Sequence, residues 1–493
     1  MKNTLLKSNY LNKLILLIPI LLSVNTSLFS QYFNGTLRLN TENPRYFTDK
    51  SGKSIYLTGS HTWANFQEAG LATDSLFEWK KYLEMMRTNH HNFMKLWIWE
   101  QAKLGSWSKE ALVFYPLPYQ EITQNGKVKY DLSKWNDQYF ERLRKRVIEA
   151  GQQGIYVSIM LFQGWSMKKE KIESGNPWLF HPFNPDNNIN GVGRQIVDNK
   201  EDDAEKGTLH SLKNGDVMQQ QEAYVKKVVE TVNDLDNVLF EIINEGGTRD
   251  WQYHIINFVK KTEQKLTKQH PVGMSHAIGV SPLMWNQELF ESPADWVAPT
   301  NEPVGSNYRN SSLITDYQVK IQPNSGKKVT ILDTDHLWGC GGNYQWVWKS
   351  FLQGYCPIFM DSWQNFPYPD TVAISWLSPC LVPREYTPYK LIRQNMGVTM
   401  QYSQRIDLGR STPQPDLCSS GFCLAQPNKS YMAWLESKPY LTINLRNTDG
   451  IFEVEWFNPL TLETKNETPI KGGDYIVLKS PFAGESVVFL RKK

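Results

Sequence analysis

The sequence predicts an α/β protein in which a (β/α)8 TIM barrel is followed by a small C-terminal antiparallel β-sandwich. Two observations lead to this fold class. Eight short apolar runs alternate with amphipathic helical patterns over most of the 493 residues, as in a parallel barrel. Beyond about Leu408, alternating strand patterns follow one another with turn residues between them. A doubly wound sheet is the second choice, but no Gly-x-Gly-x-x-Gly turn supports it.

The N-terminal segment has the pattern of a secretory signal peptide. Lys2, Lys7 and Lys13 precede the apolar run "LILLIPILLSV", which is too short to span a bilayer, and the small residue Ser30 precedes Gln31. We therefore expect residues 1–30 to be removed, and the protein to be exported across the inner membrane to the periplasm or the exterior. No later segment is long and apolar enough to be a transmembrane helix.

The barrel is expected within residues 31–408. Its fourth strand is the clearest, because Val238, Phe240 and Ile242 belong to a continuous run of the kind that is buried on both faces. The eight strands are predicted within 54–61, 91–100, 155–163, 237–247, 271–279, 295–302, 327–336 and 356–363. The sandwich is expected to occupy residues 409–493, with strands in "YLTINL", "FEVEWFNP", "DYIVLKSP" and "ESVVFLRK".

Composition excludes some classes of partner and leaves others open. Loss of the three leader lysines leaves equal numbers of basic and acidic residues, so there is no electrostatic case for nucleic acid or anionic lipid. The five cysteines are an odd number. Cys418 and Cys423 are candidates for a disulfide in an oxidising compartment, or for two free buried thiols. The many aromatic residues fit a large core and also fit stacking on sugar rings.

Polar and aromatic residues collect where the predicted strands end, which is the face of a TIM barrel that carries chemistry. Carboxylates and tryptophans dominate this set, and it contains no serine elbow or phosphate loop. The candidate site residues are His61, Trp63, Trp97, Trp99, Glu100, Gln163, Trp165, Asn244, Glu245, His276, Glu302, Asp333, Asp335, His336, Asp361 and Trp363.

Cleavage of a glycosidic bond requires two carboxyl groups that face each other. One donates a proton to the leaving oxygen, and the other stabilises the positive charge that develops on the sugar. Asn244-Glu245 at the end of the fourth strand, with Asp333 ending the seventh, resembles the retaining glycoside hydrolases of clan A. The resemblance implies that Glu245 is the acid/base, that Asn244 contacts the sugar 2-hydroxyl and that Asp333 is the nucleophile. It also implies carboxyl groups about 5–5.5 Å apart.

Longer stretches resemble a set of secreted bacterial proteins related to the apiosidase-like hydrolases. These stretches are "YLTGSHTWANFQ", "HNFMKLWIWE", "HPFNPDNNINGV", "ILDTDHLWG" and "PIFMDSW". The tail segments "VEWFNPLT" and "SPFAGESVVFL" resemble a module labelled as collagen-binding. The resemblance covers nearly all of the chain after the leader, and it is more specific for family than for substrate.

The chain departs from the clan pattern in two places. The clan usually has Glu on the seventh strand, whereas this chain has Asp333 and also Asp335, which would share a face by strand alternation and is the alternative nucleophile. The clan usually has Arg on the second strand, where this chain has Lys95, so support of the nucleophile is expected to differ. Glu241 has the parity of Glu245 and is expected to be a buried, hydrogen-bonded carboxylate one layer below it.

Three functions remain open from the sequence. The leading hypothesis is a secreted retaining hydrolase of O-glycosidic bonds in plant or algal polysaccharides or oligosaccharides, with a carbohydrate partner and no cofactor. The alternative is a non-catalytic carbohydrate- or matrix-binding protein on a barrel scaffold. A metal-dependent hydrolase is the third, because Asp333, Asp335 and His336 are possible metal ligands. The sugar, the linkage, exo or endo action and the oligomeric state are left undetermined.

Overall fold

The computed structural model describes residues 32–70, 76–104, 112–167, 177–193, 209–244, 246–275, 286–300, 325–337, 340–363, 382–436 and 438–493. Its centre is a closed barrel of eight parallel strands, each hydrogen-bonded to the next along the chain, with the eighth pairing the first. This confirms the predicted fold class. The strands are β1 (Gly59–His61), β2 (Phe93–Leu96), β3 (Tyr156–Gln163), β4 (Val238–Asn244), β5 (Val272–Ser275), β6 (Trp296–Ala298), β7 (Val329–Asp333) and β8 (Cys356–Met360).

Amphipathic helices cover the barrel. In the longest of them, between β3 and β4, Val225, Val228, Val229 and Val232 form a buried stripe with the spacing of one helix face. The described helices are α1 (Trp79–Thr88), α2 (Asp137–Gly151), α3 (Gly215–Val232), α4 (Arg249–Glu263), α5 (Asn286–Glu291), α6 (Thr334–Leu337), α7 (Tyr344–Leu352) and α8 (Thr387–Ser403). None of the described helices is long and apolar enough to cross a membrane.

The first predicted strand, 54–61, is wrong in its beginning. Ser54–Ile55 pairs with Phe47–Thr48 in a small antiparallel sheet completed by Arg38–Leu39, and the barrel strand starts only at Gly59. Both short strands lie in the single run "SIYLTGSH", and composition does not show where one sheet gives way to the other.

Further short elements decorate the loops that follow β1, β2 and β3. They are the hairpin Tyr119–Gln124 with Lys127–Trp135, the sheet of Glu68–Gly70, Leu112–Tyr115 and Lys103–Leu104, and the 3-10 turns Gly164–Met167, Pro177–Phe180 and Pro185–Asn187.

The C-terminal part forms two antiparallel sheets around an apolar core. The larger has the order β9-β10-β11-β16-β13-β14, and the smaller pairs β12 with β15. The strands are β9 (Thr412–Pro413), β10 (Cys423–Gln426), β11 (Ser430–Leu435), β12 (Tyr440–Asn444), β13 (Ile451–Phe457), β14 (Thr464–Lys471), β15 (Tyr475–Lys479) and β16 (Ser486–Lys492). The 3-10 turn Pro415–Leu417 lies between β9 and β10.

The cysteine pairing differs from the disulfide considered for the tail. Cys418 and Cys423 are free buried thiols, and the Cys418 Sγ lies 3.2 Å from the Ser420 Oγ. Cys340, in the loop after α6, is disulfide-bonded, and its partner lies outside the described residues. Nothing in the spacing of the cysteines distinguished Cys340 from the others.

The sandwich packs directly on the helices that follow β7 and β8. The Trp348 ring of α7 lies 5.4 Å from the Phe457 ring, and the Tyr402 hydroxyl of α8 donates to Glu455 at 2.6 Å. Trp348 is completely buried in a cluster that contains side chains of both parts of the chain. Barrel and sandwich therefore share one apolar core at this junction.

Candidate active site

Asp333, the last residue of β7, is the centre of a buried polar cluster at the carboxyl ends of the strands. Its Oδ1 accepts hydrogen bonds from the His61 Nε2 at 2.8 Å and from the Asp335 backbone N–H at 3.0 Å. Its Oδ2 lies 3.1 Å from the Lys95 Nζ. The side chain is buried, so these donors replace the water that a carboxylate would otherwise bind.

The surroundings of Asp333 favour its ionised form. Burial alone would raise the pKa of this carboxyl, but the charges of His61 and Lys95 and the hydrogen bond from His61 hold the pKa well below its usual range. Asp333 is therefore a carboxylate at neutral pH. An ionised carboxylate is the form that a nucleophile or a cation-stabilising group requires.

Lys95 of β2 links Asp333 to a second buried carboxylate. Its Nζ lies 3.0 Å from the Glu241 Oε1 and 3.3 Å from the Asn244 Oδ1. Glu241 also accepts a hydrogen bond from the Ser275 Oγ at 2.6 Å, so it has the buried, supporting position expected from its parity. Burial would lower the pKa of Lys95, but Asp333 and Glu241 raise it above the ordinary value. One lysine thus bridges two buried carboxylates.

Asn244, the last residue of β4, is held in a defined orientation. Its Oδ1 accepts hydrogen bonds from both Lys95 and the His336 Nε2, the latter at 2.8 Å. The amide nitrogen must therefore point the other way, where it lies 3.4 Å from the Gln163 Oε1. The backbone turns directly beyond this strand at Gly247, whose φ of +76° favours glycine. The Asn244 side chain is buried, and its end that faces away from Lys95 and His336 is a hydrogen-bond donor, to Gln163.

Asp335 does not share a strand face with Asp333, so that expectation is wrong. β7 ends at Asp333, and Thr334–Leu337 forms a short helix in which Asp335 stands in the first turn. The Asp335 Oδ2 lies 3.8 Å from the His336 Nε2, and its backbone N–H supports Asp333. Asp333 is the acid that Lys95 and His61 hold.

Three of the predicted aromatic site residues, Trp63, Trp97 and Trp99, pack against one another. Trp97 is buried between His61, whose ring stacks on it at 5.2 Å, and the Lys95 ammonium at 5.1 Å from its centre. Trp63 and Trp99 pack edge to face, with the Trp99 Nε1 donating to the Trp63 carbonyl at 2.9 Å. His61 and these three tryptophans are buried, and His61 and Trp97 contact the charged cluster. Their contact with a sugar stays a prediction.

Trp363 and Asp361, which follow β8, are engaged by two arginines. The Arg384 guanidinium lies 3.9 Å from the centre of the Trp363 ring. Arg393 of α8 donates to both oxygens of Asp361, at 2.6 and 2.8 Å. Both predicted contact residues are buried by these partners, which arrive from a distant helix and the segment before it. No pattern in the sequence indicated either arginine.

Glu100 joins three segments above β2 and β3. Its Oε1 accepts the backbone N–H of Gln163 at 2.6 Å and lies 3.2 Å from the His210 Nε2, while its Oε2 lies 3.5 Å from the His181 Nε2. Burial would raise its pKa, but His210 and His181 lower the pKa of Glu100 to about 2. Its neighbours make this carboxylate a support of the loops that border the site.

Several predicted site residues cannot be placed. Glu245, His276 and Glu302 lie outside the described residues, as does the side chain of Trp165. The separation of the Glu245 and Asp333 carboxyl groups therefore stays a prediction. Within the described ranges, no group of three or more His, Cys, Asp or Glu side chains is arranged to hold a metal ion.

Comparisons with known proteins agree with the architecture. A family model described as "Domain of unknown function (DUF6298)" matches residues 108–288. No curated protein sequence matches the chain. A solved structure titled "Glycoside hydrolase" is similar with a TM-score of 0.57 and 13% identity, over 93% of this chain and 97% of that one. A glycoside hydrolase family 5 structure from Bacteroides vulgatus ATCC 8482 has a TM-score of 0.56 and 12% identity, over 93% and 94%. At these identities the likeness shows the shared fold.

Proposed function

We propose that this protein is a secreted retaining glycoside hydrolase that cleaves O-glycosidic bonds in plant or algal polysaccharides or oligosaccharides. Asp333 is the nucleophile and Glu245 the general acid and base. The observation that carries the proposal is the position of Asp333 at the carboxyl end of β7, where Lys95 and His61 hold it beside Asn244. The glycoside hydrolases among the structural neighbours support it.

The hydrogen bonds of Asp333 indicate which of its oxygens attacks. Oδ1 accepts two short hydrogen bonds, whereas Oδ2 contacts only Lys95 among the described residues. A carboxylate oxygen has two lone-pair sites in its plane, so Oδ2 keeps one for the anomeric carbon. In the first step the bond from Oδ2 to the anomeric carbon forms, the glycosidic bond breaks, and Glu245 gives its proton to the leaving oxygen.

The second step returns the enzyme to its starting state. Glu245, now ionised, takes a proton from water as the water oxygen attacks the anomeric carbon, and the bond to the Asp333 Oδ2 breaks. The sugar leaves with its original configuration because two displacements have occurred.

Lys95 fits this cycle better than a cation paired with one acid would. When Asp333 becomes an ester it loses its negative charge, and a buried cation beside it would then be uncompensated. Glu241 lies 3.0 Å from the same ammonium and keeps it balanced in the intermediate. The paired arrangement therefore allows Asp333 to change charge without a large penalty elsewhere in the cluster.

Asn244 supplies the contact to the sugar. Because Lys95 and His336 occupy its carbonyl oxygen and one amide N–H donates to Gln163, the second amide N–H is the group left for a substrate. In the proposed reaction this N–H donates to the 2-hydroxyl, where a hydrogen bond that strengthens in the transition state contributes to the rate. The resemblance to the apiosidase-like hydrolases makes pectic, hemicellulosic and algal oligosaccharides the first substrates to screen.

Paired variants test the roles of the two acids. Glu245→Ala should keep slow turnover of aryl glycosides whose leaving group needs no proton, and azide should accelerate its second step because a small anion attacks without a general base. Asp333→Ala should fail on the same substrates, and any azide product should have inverted configuration. Asp335→Ala is the matched control and should stay active. The assignment is wrong if Asp335→Ala behaves as the nucleophile variant, and the mechanism fails if neither Asp333→Ala nor Asp335→Ala lowers activity.

A further inference from the structure

The smaller sheet of the sandwich exposes one face to solvent. On its inner side, Leu441 and Ile443 of β12 face Leu478 and Ile476 of β15, and all four side chains pack in the apolar core. Side chains alternate along a strand, so the intervening residues point outward. The outward residues are Tyr440, Thr442 and Asn444 of β12 and Tyr475, Val477 and Lys479 of β15.

Two tyrosines mark the ends of this face. Tyr440 is 54% exposed and Tyr475 is 49% exposed. In the antiparallel register Tyr440 stands opposite Lys479, and Tyr475 stands opposite Asn444, at the other end of β12. Four residues of antiparallel strand span about 14 Å, which is the length of a short oligosaccharide. The two rings are thus well separated platforms on the same face of the two-stranded ribbon.

Each tyrosine has a cation beside it. Lys479 is the cross-strand neighbour of Tyr440, and the Arg446 guanidinium lies 4.5 Å from the centre of the Tyr475 ring. None of the six outward positions carries an acid, and within the described residues neither Lys479 nor Arg446 forms an ion pair. The nearest acid in the sequence is the exposed Asp474, whose carboxylate accepts the backbone N–H of Tyr475 at 2.7 Å. The face therefore contains two similar pairs, each made of an exposed aromatic ring and a neighbouring cation.

We propose that this face binds an acidic polysaccharide, one built of uronic acid residues. The apolar C–H faces of two sugar rings stack on Tyr440 and Tyr475, and carboxylates of the polymer pair with Lys479 and Arg446. The proposal extends the proposed function, since a binding face outside the barrel would hold a polymeric substrate near the site that cleaves it.

The size and chemistry of the face favour a glycan over a protein partner. Two strands of five residues, about 17 Å long and about 5 Å apart, offer a strip far smaller than the ~800 Å² per partner of a stable protein interface. Val477 is its only exposed aliphatic side chain. A linear polymer needs only a narrow strip, and the two cations against one acid, Asp474, leave a net positive charge that complements polymer carboxylates.

Affinity electrophoresis of the full chain tests the proposal. The native protein should be retarded in gels containing polygalacturonate and much less in gels containing neutral galactomannan. Tyr440→Ala/Tyr475→Ala should weaken the polygalacturonate affinity at least tenfold, and Lys479→Gln/Arg446→Gln should weaken it and reduce its salt sensitivity. Tyr32→Ala is the matched control, because Tyr32 is 55% exposed and its ring lies beside Gly154, ahead of β3 on the barrel. Unchanged melting temperatures would show that all variants fold.

The outcomes distinguish this proposal from the catalytic one. Turnover of a small soluble aryl glycoside should be unchanged in the face variants, and its absence in the native protein would count against the proposed function and leave the binding result standing. Failure of the native chain to bind polygalacturonate, equal binding of galactomannan, or an equal loss in Tyr32→Ala would overturn the proposal. Binding to immobilised collagen that the double tyrosine variant abolishes would assign the face to a protein instead.

Discussion

Replacement of Lys95 by Met should change the pH dependence of catalysis while leaving both proposed catalytic acids intact. The Lys95 Nζ lies 3.1 Å from Asp333 and 3.0 Å from Glu241 in a buried site. At an effective dielectric constant of about 20, each contact corresponds to about 5 kcal/mol of attraction. Burial of the charges offsets part of this, and removal of one partner from a buried ion pair typically costs about 3–5 kcal/mol.

The lost attraction should raise the pKa of Asp333. Its pKa is held low by His61 and Lys95, so the ionised form loses one of its two main supports in Lys95→Met. Because about 1.4 kcal/mol corresponds to one pH unit, a loss of about 3 kcal/mol moves the acidic limb of kcat/KM upward by about 2 pH units. Activity should therefore fall steeply in weak acid and recover partly toward neutral pH. A pH profile on an aryl glycoside measures this directly.

Two control variants sharpen the experiment. Lys95→Arg keeps the cation and should retain most of the acidic limb. Lys328→Met removes a half-buried lysine just before β7, at the opposite end of the barrel, where its Nζ donates to the Ala294 carbonyl at 2.8 Å. It should lower the melting temperature and leave the pH profile unchanged. If Lys95→Met melts lower but keeps the native acidic limb, Lys95 does not control the ionisation of Asp333.

Three further predictions concern the supports of the site. Glu100→Gln should lower the free energy of unfolding by up to about 3 kcal/mol at neutral pH. The pKa of Glu100 is about 2 in the folded protein and about 4.3 in the unfolded chain. The stability that this difference provides is therefore present above about pH 4.3 and is lost as the pH falls toward about 2. The melting temperatures of the variant and the native protein should therefore converge as the pH is lowered from about 4.3 to about 2. A difference in melting temperature that does not change with pH would show that the charge of Glu100 is not what stabilises the protein. His336→Ala frees the Asn244 amide and should lower kcat/KM about two- to tenfold on glycosides with a 2-hydroxyl and less on 2-deoxy glycosides; equal losses would refute the orienting role. Trp348→Ala should cost about 3–5 kcal/mol of stability, measured by thermal unfolding, with normal kcat at low temperature; a selective loss of kcat would show that the junction takes part in catalysis.

The barrel could be predicted because local patterns and spacing agree. The continuous apolar run of β4 has the composition of a strand covered on both faces, and it is completely buried in the structure. Alternation along that strand predicted that Glu241 faces the barrel axis, where it meets Lys95. The start of β1 was not predictable in the same way, because Ser54–Ile55 and Gly59–His61 are too short to show a boundary between two sheets.

The site was harder to predict, because the position of a residue along a strand does not show how deeply its side chain is buried or which side chains it contacts. His61 and Trp97 stand at strand ends as expected, yet they stack on each other beneath the carboxylate. Asp335 was placed on a strand face because alternation was extended past Asp333, where the chain has already turned into a helix. Arg393, which takes up both oxygens of Asp361, comes from α8, and such long-range pairs leave no local signal in a single sequence.

The most direct test of the central claim is to trap the covalent intermediate. An activated 2-fluoro glycoside of the preferred sugar slows the second step, so that the glycosyl-enzyme accumulates and its peptide can be identified by mass spectrometry. We expect one sugar per chain, attached to Asp333, and product of retained configuration from ordinary substrates. A label on Asp335, or inverted product without any label, would contradict it.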